Sequence, residues 1–546
     1  MNEVLDAEPA AHDEVASTGR AALWCFVAVE VIAFPLLLVW GRHGWFTQDD
    51  WDFLSARTIG NVGDLFRAHY EHWTTLPIVA YRFLWVVFGI RSYTAYQALV
   101  VLLHLAAAAL LLAVMRRAGV RPWLATVAAA SFVFFGSGAE NILVAFQITF
   151  VGSLVFGLAQ LLLSDHDGPL ARRDYFGLLA GFAGLLCSGV AATMTVVVGL
   201  AVLLRRGRNG WRAALFHTAP LAAAYLLWLE LAPKGQSVAN YRSHSPTRVL
   251  RFVWVGIESA FARLGQIPGV GVLLATVLVA GLVVLFRARG RHAPFGSLAA
   301  PLALLAGGLL FLLVTGVARS GQGGTLLLNA NAGPDRAHRS RYVYLIVAMA
   351  LPALAVGADA LIRRWRQLTI PIVVVLLAGL PGNIHRLMDP SRFFANALGS
   401  RAPILAVPRL PHADQLRHSP APVPIERLVA EGLTLGWLVD SARSGRIPRP
   451  AARNPLQISA QAVQYLLRPG KASGAAVCEA APPVSVRVLR KDQTLTVKGG
   501  SVFVAYVPLG GAPSPRRLVK PSTLVALVGP LCIRIIAPGP GVSLCA

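Results

Sequence analysis

Charge is what this chain of 546 residues has least of. Asp, Glu, Lys and Arg make up 14% of it, against about 25% in a typical soluble domain. Hydrophobic residues reach 55%, and mean hydropathy is +0.59. This deficit is spread over several long apolar runs. It excludes an ordinary soluble enzyme and points to a polytopic helical membrane protein. Lysine is nearly missing: of 50 basic residues only five are Lys (Lys234, Lys471, Lys491, Lys498, Lys520), and the rest are Arg. Cysteine is scarce too, with five residues and no C-x-x-C pair, so the zinc-ribbon type of site is excluded. Cys25 and Cys187 fall inside apolar runs, where cysteine acts as a small hydrophobe. Cys478, Cys532 and Cys545 lie near the C-terminus. If that region faces an oxidising compartment, one disulfide is expected among them, with its pairing open. The chain shows no internal repeat and no small-residue cleavage site after its first apolar run, so no cleavable signal peptide is expected.

Apolar runs at about 21–40, 94–115, 123–138, 142–163, 213–232, 269–286, 295–317, 342–361 and 367–381 read as membrane spans. The stretch 175–204 is long for one helix and short for two. Arginines flank it on both sides, so it reads as two short helices or as a re-entrant hairpin around Cys187–Gly189, either of which preserves the parity of about eleven crossings. Short loops rich in arginine then fall on one side: Arg116, Arg117 and Arg121; Arg172 and Arg173; Arg205, Arg206, Arg208 and Arg212; Arg287, Arg289 and Arg291; Arg363, Arg364 and Arg366. That side is expected to be cytoplasmic, together with residues 1–20. The membrane domain then covers 21–381. Three longer loops (42–92, 233–268 and 318–341) and residues 382–546 fall outside. Within the first loop, residues 76–90 read as an amphipathic helix lying in the interface, with Tyr81, Arg82 and Trp85 as anchors; 252–266 reads similarly. In the outer region, 401–424 is a Pro- and His-rich linker, 425–444 a helix, and 484–546 a small β-domain of short alternating strands.

The chemistry-bearing residues gather in the outer loops. Directly after the first span comes Trp45-Phe46-Thr47-Gln48-Asp49-Asp50-Trp51-Asp52. Repulsion between adjacent carboxylates, with partial desolvation, raises a pKa and suits one of them to act as a base. This acidic pair, the following amphipathic helix with Phe88-Gly89 at its end, and the next span resemble the opening of the GT-C superfamily of membrane glycosyltransferases. Protein O-mannosyltransferases and cell-wall arabinofuranosyltransferases belong to it. The resemblance covers about residues 1–380 as topology plus one short motif. It implies a GT-C-like fold and transfer of a sugar from a polyprenyl-phosphate donor on the outer face of the cytoplasmic membrane. The acceptor would be an envelope glycan, lipid or protein. It also implies that Asp49 or Asp50 deprotonates the acceptor hydroxyl. A lipid-linked phosphate is already a good leaving group, so one base plus cations at the membrane surface suffices, and attack opposite the phosphate inverts the anomeric centre.

Arg336, Arg339 and Arg341, followed by Tyr342, are the candidates for the donor phosphate, because arginine forks recognise phosphate bidentately. The stretch Ser340–Tyr344 is also similar to one that large bacterial GT-C relatives carry before a late helix. Arg242 belongs to a second basic cluster with Lys234, His244, Arg248 and Arg251. Asp52, His69, Glu71, His72, Trp73, Glu140, Asn141 and Gln147 are candidates for the sugar and acceptor. No cofactor is required, although Asp49, Asp50 and Asp52 have the donor chemistry for Mg2+, Mn2+ or Ca2+. Two other readings compete: a transporter or flippase of lipid-linked or polar solutes, and a non-catalytic envelope assembly protein. Against transport, polar residues sit mainly in loops and no repeat is present. The net charge of +24 divides unevenly, since residues from 381 onward carry 20 Lys or Arg and 7 Asp or Glu. Most of the surplus thus lies beside the outer leaflet, where membrane lipid or anionic envelope polymer is the expected partner and nucleic acid is not.

Overall fold

The computed structural model describes residues 7–233, 241–288, 295–321 and 333–390, and beyond these 394, 397–398, 401, 404–410, 412–425, 428–448, 466–471, 477–507, 517–539 and 541–545. Along the chain run helices α1 (Ala7–Gly41), α2 (Gln48–Ser55), α3 (Val62–Phe66), α4 (Thr75–Phe88), α5 (Thr94–Arg117) and α6 (Pro122–Val133). Then follow α7 (Ala139–Leu143), α8 (Ile148–Ser164), α9 (Arg172–Leu185), α10 (Val190–Arg206), α11 (Trp211–Leu231) and α12 (Pro246–Gly265). The last of the series are α13 (Val270–Ala288), α14 (Ala299–Arg319), α15 (Ser340–Arg364), α16 (Thr369–Leu377) and α17 (Leu380–Met388). The chain divides into two compact units. One comprises residues 1–44, 59–80 and 94–393, and the other 45–58, 81–93 and 394–546.

The first unit is helical. Among the described residues, eight helical segments are long and apolar enough to cross a membrane. A ninth is reached if α6 and the Gly136–Leu143 segment, bent by 41°, form one span. Sequence patterning predicts about eleven. The difference lies at two places. The 175–204 stretch is two helices, α9 and α10, of 14 and 17 residues, each short of the roughly 20 residues that a bilayer core needs. The expected 123–138 span breaks after Val133, where Gly136 comes so close to another backbone that a Cβ there would sit 1.8 Å from the Asn383 carbonyl oxygen. At the end of the unit, the final span runs on to Met388, beyond the expected limit of 381. α15 is the central helix, with 94% of its apolar window buried. It packs against α12, α13 and α14. On α12, Phe252, Gly256, Ser259, Ala260 and Leu264 are buried, while Trp254 is exposed.

Ion pairs join segments expected on one side of a membrane, in two groups. Arg205 pairs with Asp165 at 2.7 Å and Asp167 at 2.9 Å. Asp359 takes Arg121 at 3.4 Å and Arg363 at 2.5 Å, and Arg363 also donates to the Gly119 carbonyl at 2.8 Å.

The second unit holds α2, the later part of α4 and the C-terminal β region. A two-stranded ribbon, β1 (Pro422–Ile425) and β2 (Leu428–Thr434), precedes a helix at Leu435–Arg443. The expected helix over 425–444 is therefore strand for its first half. Gly432 has φ +75°, a left-handed conformation that glycine adopts without steric cost. The Thr434 hydroxyl accepts from the Trp437 N–H at 3.1 Å and caps the helix only there. Nine further strands follow: β3 (Leu467–Pro469), β4 (Cys478–Ala480), β5 (Val484–Leu489), β6 (Thr494–Lys498), β7 (Val502–Tyr506), β8 (Arg517–Val519), β9 (Ser522–Ala526), β10 (Leu531–Ile536) and β11 (Ser543–Cys545). They form two antiparallel sheets, ordered β5-β10-β7-β8 and β3-β9-β6-β11-β4. The alternating segments that begin at Val484, Thr494, Ser501, Thr523 and Leu531 supply β5, β6, β7, β9 and β10, and the region begins earlier than 484, at β3. Alternate residues of β10 (Leu531, Ile533, Ile535) are buried, as period-2 patterning requires. Cys478 and Cys545 face each other across β4 and β11 and form a disulfide, while Cys532 is a free thiol.

Candidate functional site

In the second unit, the acidic segment opens α2. Asp50 is fully buried. Its Oδ2 accepts from the Thr47 N–H at 2.5 Å and the Thr47 hydroxyl at 2.7 Å, which closes the helix N-terminus as a capping box. Its Oδ1 accepts from the Tyr81 hydroxyl on α4. Burial pushes the Asp50 carboxyl up to about 6; the Tyr81 and Thr47 donors oppose that rise, and the charge of Asp49 adds to it. Asp52 is committed as well: Arg57, itself buried, holds its Oδ2 with Nε at 2.9 Å and Nη2 at 2.7 Å. Asp49 remains part-exposed in the first turn of α2. The three carboxylates therefore have three different environments and do not form a shared ligand set.

The tyrosine and tryptophan expected as interface anchors are instead core. Tyr81 and Trp85 are buried. Trp85 stacks on Trp437 with ring centroids 4.9 Å apart, and Trp51 meets the same ring edge-on at 6.3 Å. Arg82 donates to the Leu54 carbonyl at 2.6 Å. The opposite face of α4, with Phe83, Val86 and Val87, is exposed and apolar.

In the first unit the outer-loop candidates come together. His69 and His72 exchange backbone hydrogen bonds at 3.0 and 2.9 Å across a turn in which Tyr70 has φ +54°. That turn carries Glu71, whose carboxylate pairs with Arg242 at 3.3 Å and Arg319 at 3.1 Å. Glu140, on the short α7, accepts from Gln147 at 3.2 Å and pairs with Arg341 at 3.5 Å. Its N–H donates to the Ser340 hydroxyl at 3.2 Å, which ties the α7 turn to the start of α15. Arg336 lies over the Tyr241 ring, 4.4 Å from its centroid. The His72 Nδ1 accepts from the Gly189 N–H at 3.2 Å, so the neutral ring carries its proton on Nε2. Burial, and then the charges of Arg319, His69 and Arg341, push this imidazole down to about 3. Arg336 and Arg339 are held below the usual guanidinium range, chiefly by burial, with Arg341 also contributing to both. Asn141 is fully buried, and neither of its amide atoms has a hydrogen-bond partner among the described residues; the Gln147 Oε1 is in the same state. Buried amides without partners are costly, by roughly 1–3 kcal/mol each.

Two candidates do not fit their expected use. Trp73 is buried and lies parallel to Trp228, with centroids 5.3 Å apart and 1° between planes, so its face is already covered. Tyr342 is buried between Phe252 and Phe311. Of the second basic cluster, Lys234 lies outside the described residues, and Arg251 pairs with Asp335 at 3.5 Å on the surface. Sequence reasoning missed Arg319. It closes the apolar run of α14 and looks like an ordinary span flank, yet it is largely buried and shares Glu71 with Arg242. Among the described residues, no group of three or more His, Cys, Asp or Glu side chains could hold a metal ion. Comparison with protein-family models, with curated proteins and with solved structures finds no match.

Proposed function

We propose that this chain is an inverting membrane glycosyltransferase that moves a sugar from a polyprenyl-phosphate donor to a glycan, lipid or protein acceptor of the cell envelope. The observation that carries the reading is the arginine cluster of the first unit. Arg319, Arg336 and Arg341 act on one another or on His72 electrostatically, with Glu71 and Glu140 between them as counter-ions. Guanidinium groups from the two ends of the third outer loop, partly buried and with Arg319 and Arg341 held by carboxylates, suit a phosphate leaving group whose charge grows as the glycosidic bond breaks. The unpartnered amide of Asn141 and the unpartnered Oε1 of Gln147 suit sugar hydroxyls.

The base is assigned to Asp49. Asp50 cannot readily exchange a proton with an acceptor while Thr47 and Tyr81 occupy its oxygens. In the step, the acceptor oxygen attacks the anomeric carbon, the bond from that carbon to the phosphate oxygen breaks, and the electron pair leaves with the polyprenyl phosphate. The hydroxyl proton passes to a carboxylate base, for which the acidic pair of α2 is the candidate and Asp49 its part-exposed member. The Cys478–Cys545 disulfide supports placing the C-terminal region in an oxidising, extracytoplasmic compartment, with the short arginine-rich loops in the cytoplasm.

The test uses full-length protein in nanodiscs with polyprenyl-phosphate mannose or polyprenyl-phosphate arabinose and an envelope extract as acceptor. Asp49→Asn is expected to lower transfer by roughly 10²–10⁴-fold. Arg319→Gln and Arg336→Gln are expected to weaken donor binding. A folded Asp49→Asn protein with full transfer would overturn the assignment of the base. Movement of the lipid across the bilayer without sugar transfer would favour the transporter reading instead.

A further inference from the structure

We propose that a cavity in the second unit binds an anionic sugar, one that carries a phosphate or carboxylate group. It shares no residue with the roles assigned above. The cavity has a volume of about 560 Å³ and is lined by Arg91, Arg409, Arg443 and Asp414, with Val439 and Ile447 among the apolar residues. That volume lies within the roughly 300–1,000 Å³ of small-molecule sites.

Four separate segments supply the charged groups. Arg91 follows α4, Arg409 ends the short helical turn Val407–Arg409, Asp414 lies in the turn Ala413–Leu416, and Arg443 ends the helix Leu435–Arg443. Two of the guanidiniums are fixed by backbone. Arg91 gives Nε at 3.0 Å and Nη2 at 2.5 Å to the Gly445 carbonyl, and Arg409 gives Nη1 to the Leu405 carbonyl at 2.9 Å. These bonds to backbone carbonyls hold the two guanidinium groups in place at the cavity wall, which is preorganisation for an anion. The wall itself is braced, because the Ile90 N–H donates to the Arg446 carbonyl at 2.9 Å. A helix C-terminus normally repels anions through its unsatisfied carbonyls. Here those of Asp440, Ser441 and Ala442 accept from the N–H groups of Ser444, Arg446 and Gly445 at 3.1, 3.1 and 3.0 Å.

The remaining lining selects among anions. A bare phosphate would gain from three arginines but lose to the Asp414 carboxylate. A sugar acid or sugar phosphate gains from both, since its hydroxyls donate to Asp414 while its acid group meets the arginines. Val439 and Ile447 offer apolar contact to the C–H face of the ring.

Isothermal titration of the full-length protein in detergent micelles tests this with glucose 1-phosphate, glucuronic acid, glucose, inorganic phosphate and glycerol 3-phosphate as probes. Glucose 1-phosphate and glucuronic acid are expected to bind at least ten-fold more tightly than glucose or inorganic phosphate. Arg409→Gln combined with Arg443→Gln should weaken glucose 1-phosphate at least ten-fold, with an unchanged melting temperature. Asp414→Asn should weaken glucose 1-phosphate and strengthen inorganic phosphate. Binding that ignores the arginine pair, or no binding of either acidic sugar at millimolar concentration, would overturn the proposal. So would inorganic phosphate binding as tightly as glucose 1-phosphate. Glycerol 3-phosphate binding more tightly than glucose 1-phosphate would assign the cavity to a lipid headgroup and also overturn it. Sugar transfer measured on the same arginine variant separates this outcome from that of the proposed enzyme activity.

Discussion

At the scale of single residues, Asp49 and Asp50 are chemically identical and physically opposite. Asp50 is buried, reaches back from the third helical position to Thr47, the N-terminal cap of α2, and has its carboxyl raised to about 6 from an ordinary value of 3.8. An acid whose folded-state pKa lies above its unfolded value binds more protons when folded, so its contribution to stability is full at low pH and falls as pH rises through that window. The expected loss between pH 4 and pH 7 is about 2 kcal/mol, the larger part of a total of about 3 kcal/mol, since each tenfold change in proton affinity is worth about 1.4 kcal/mol. Thermal unfolding of wild type and Asp50→Asn across that range checks it. The wild type should lose melting temperature as pH rises, and the variant should lack this component; parallel curves would refute the assignment. The carboxylate pair was legible in the sequence as a place where a base could sit. Which carboxylate is buried was not, because the Tyr81 hydroxyl that meets Asp50 comes from 31 residues away, on a side chain that local patterning reads as an interface anchor.

Among elements, legibility followed length and period. The long apolar helices and the five alternating strands of the β region stood out because each repeats one pattern over many residues. The segments that sequence leaves open or misreads are short or carry two patterns. α9 and α10 are too short to distinguish by length, and the 425–444 segment turns from strand to helix at a single capping residue, Thr434. The three cysteines of the C-terminal region belong here too, because spacing leaves their pairing open and register decides it. β11 sets Cys545 opposite Cys478, whereas Cys532 pairs in the other sheet, opposite Val488 of β5. Cys532→Ser should therefore leave mobility on a non-reducing gel unchanged. Cys478→Ser and Cys545→Ser should each abolish the shift seen on reduction. A shift lost only in the Cys532 variant would place the bond elsewhere and with it undo the register of the second sheet.

For the molecule as a whole, the distribution of polar contacts is more informative than the net charge. Glu71 joins the first and second long loops and the end of α14, and Glu140 joins the α7 turn to the start of α15. All of these belong to the side expected to face outward. Arg205 and Asp359 join only segments expected to face inward. Sequence alone could assign the two sets through arginine density; the ion pairs within each set are an independent reason to keep its members on one side, since chains in contact at a helix end cannot lie on opposite faces of a bilayer. The pairing of Arg205 with Asp165 and Asp167 also shows why net charge is the wrong measure, because orientation follows Lys and Arg in short loops with little regard to neighbouring acids. Single-cysteine variants test the orientation in a background where Cys25, Cys187 and Cys532 are serine and the disulfide is kept. Ser522→Cys, on β9, should react with a membrane-impermeant maleimide in intact spheroplasts. Asn209→Cys, in the turn between α10 and α11, should react only after permeabilisation. The reverse pattern would put the disulfide in a reducing compartment and Asp49 on the cytoplasmic face, and the proposed transfer reaction on the outer face would fall with it.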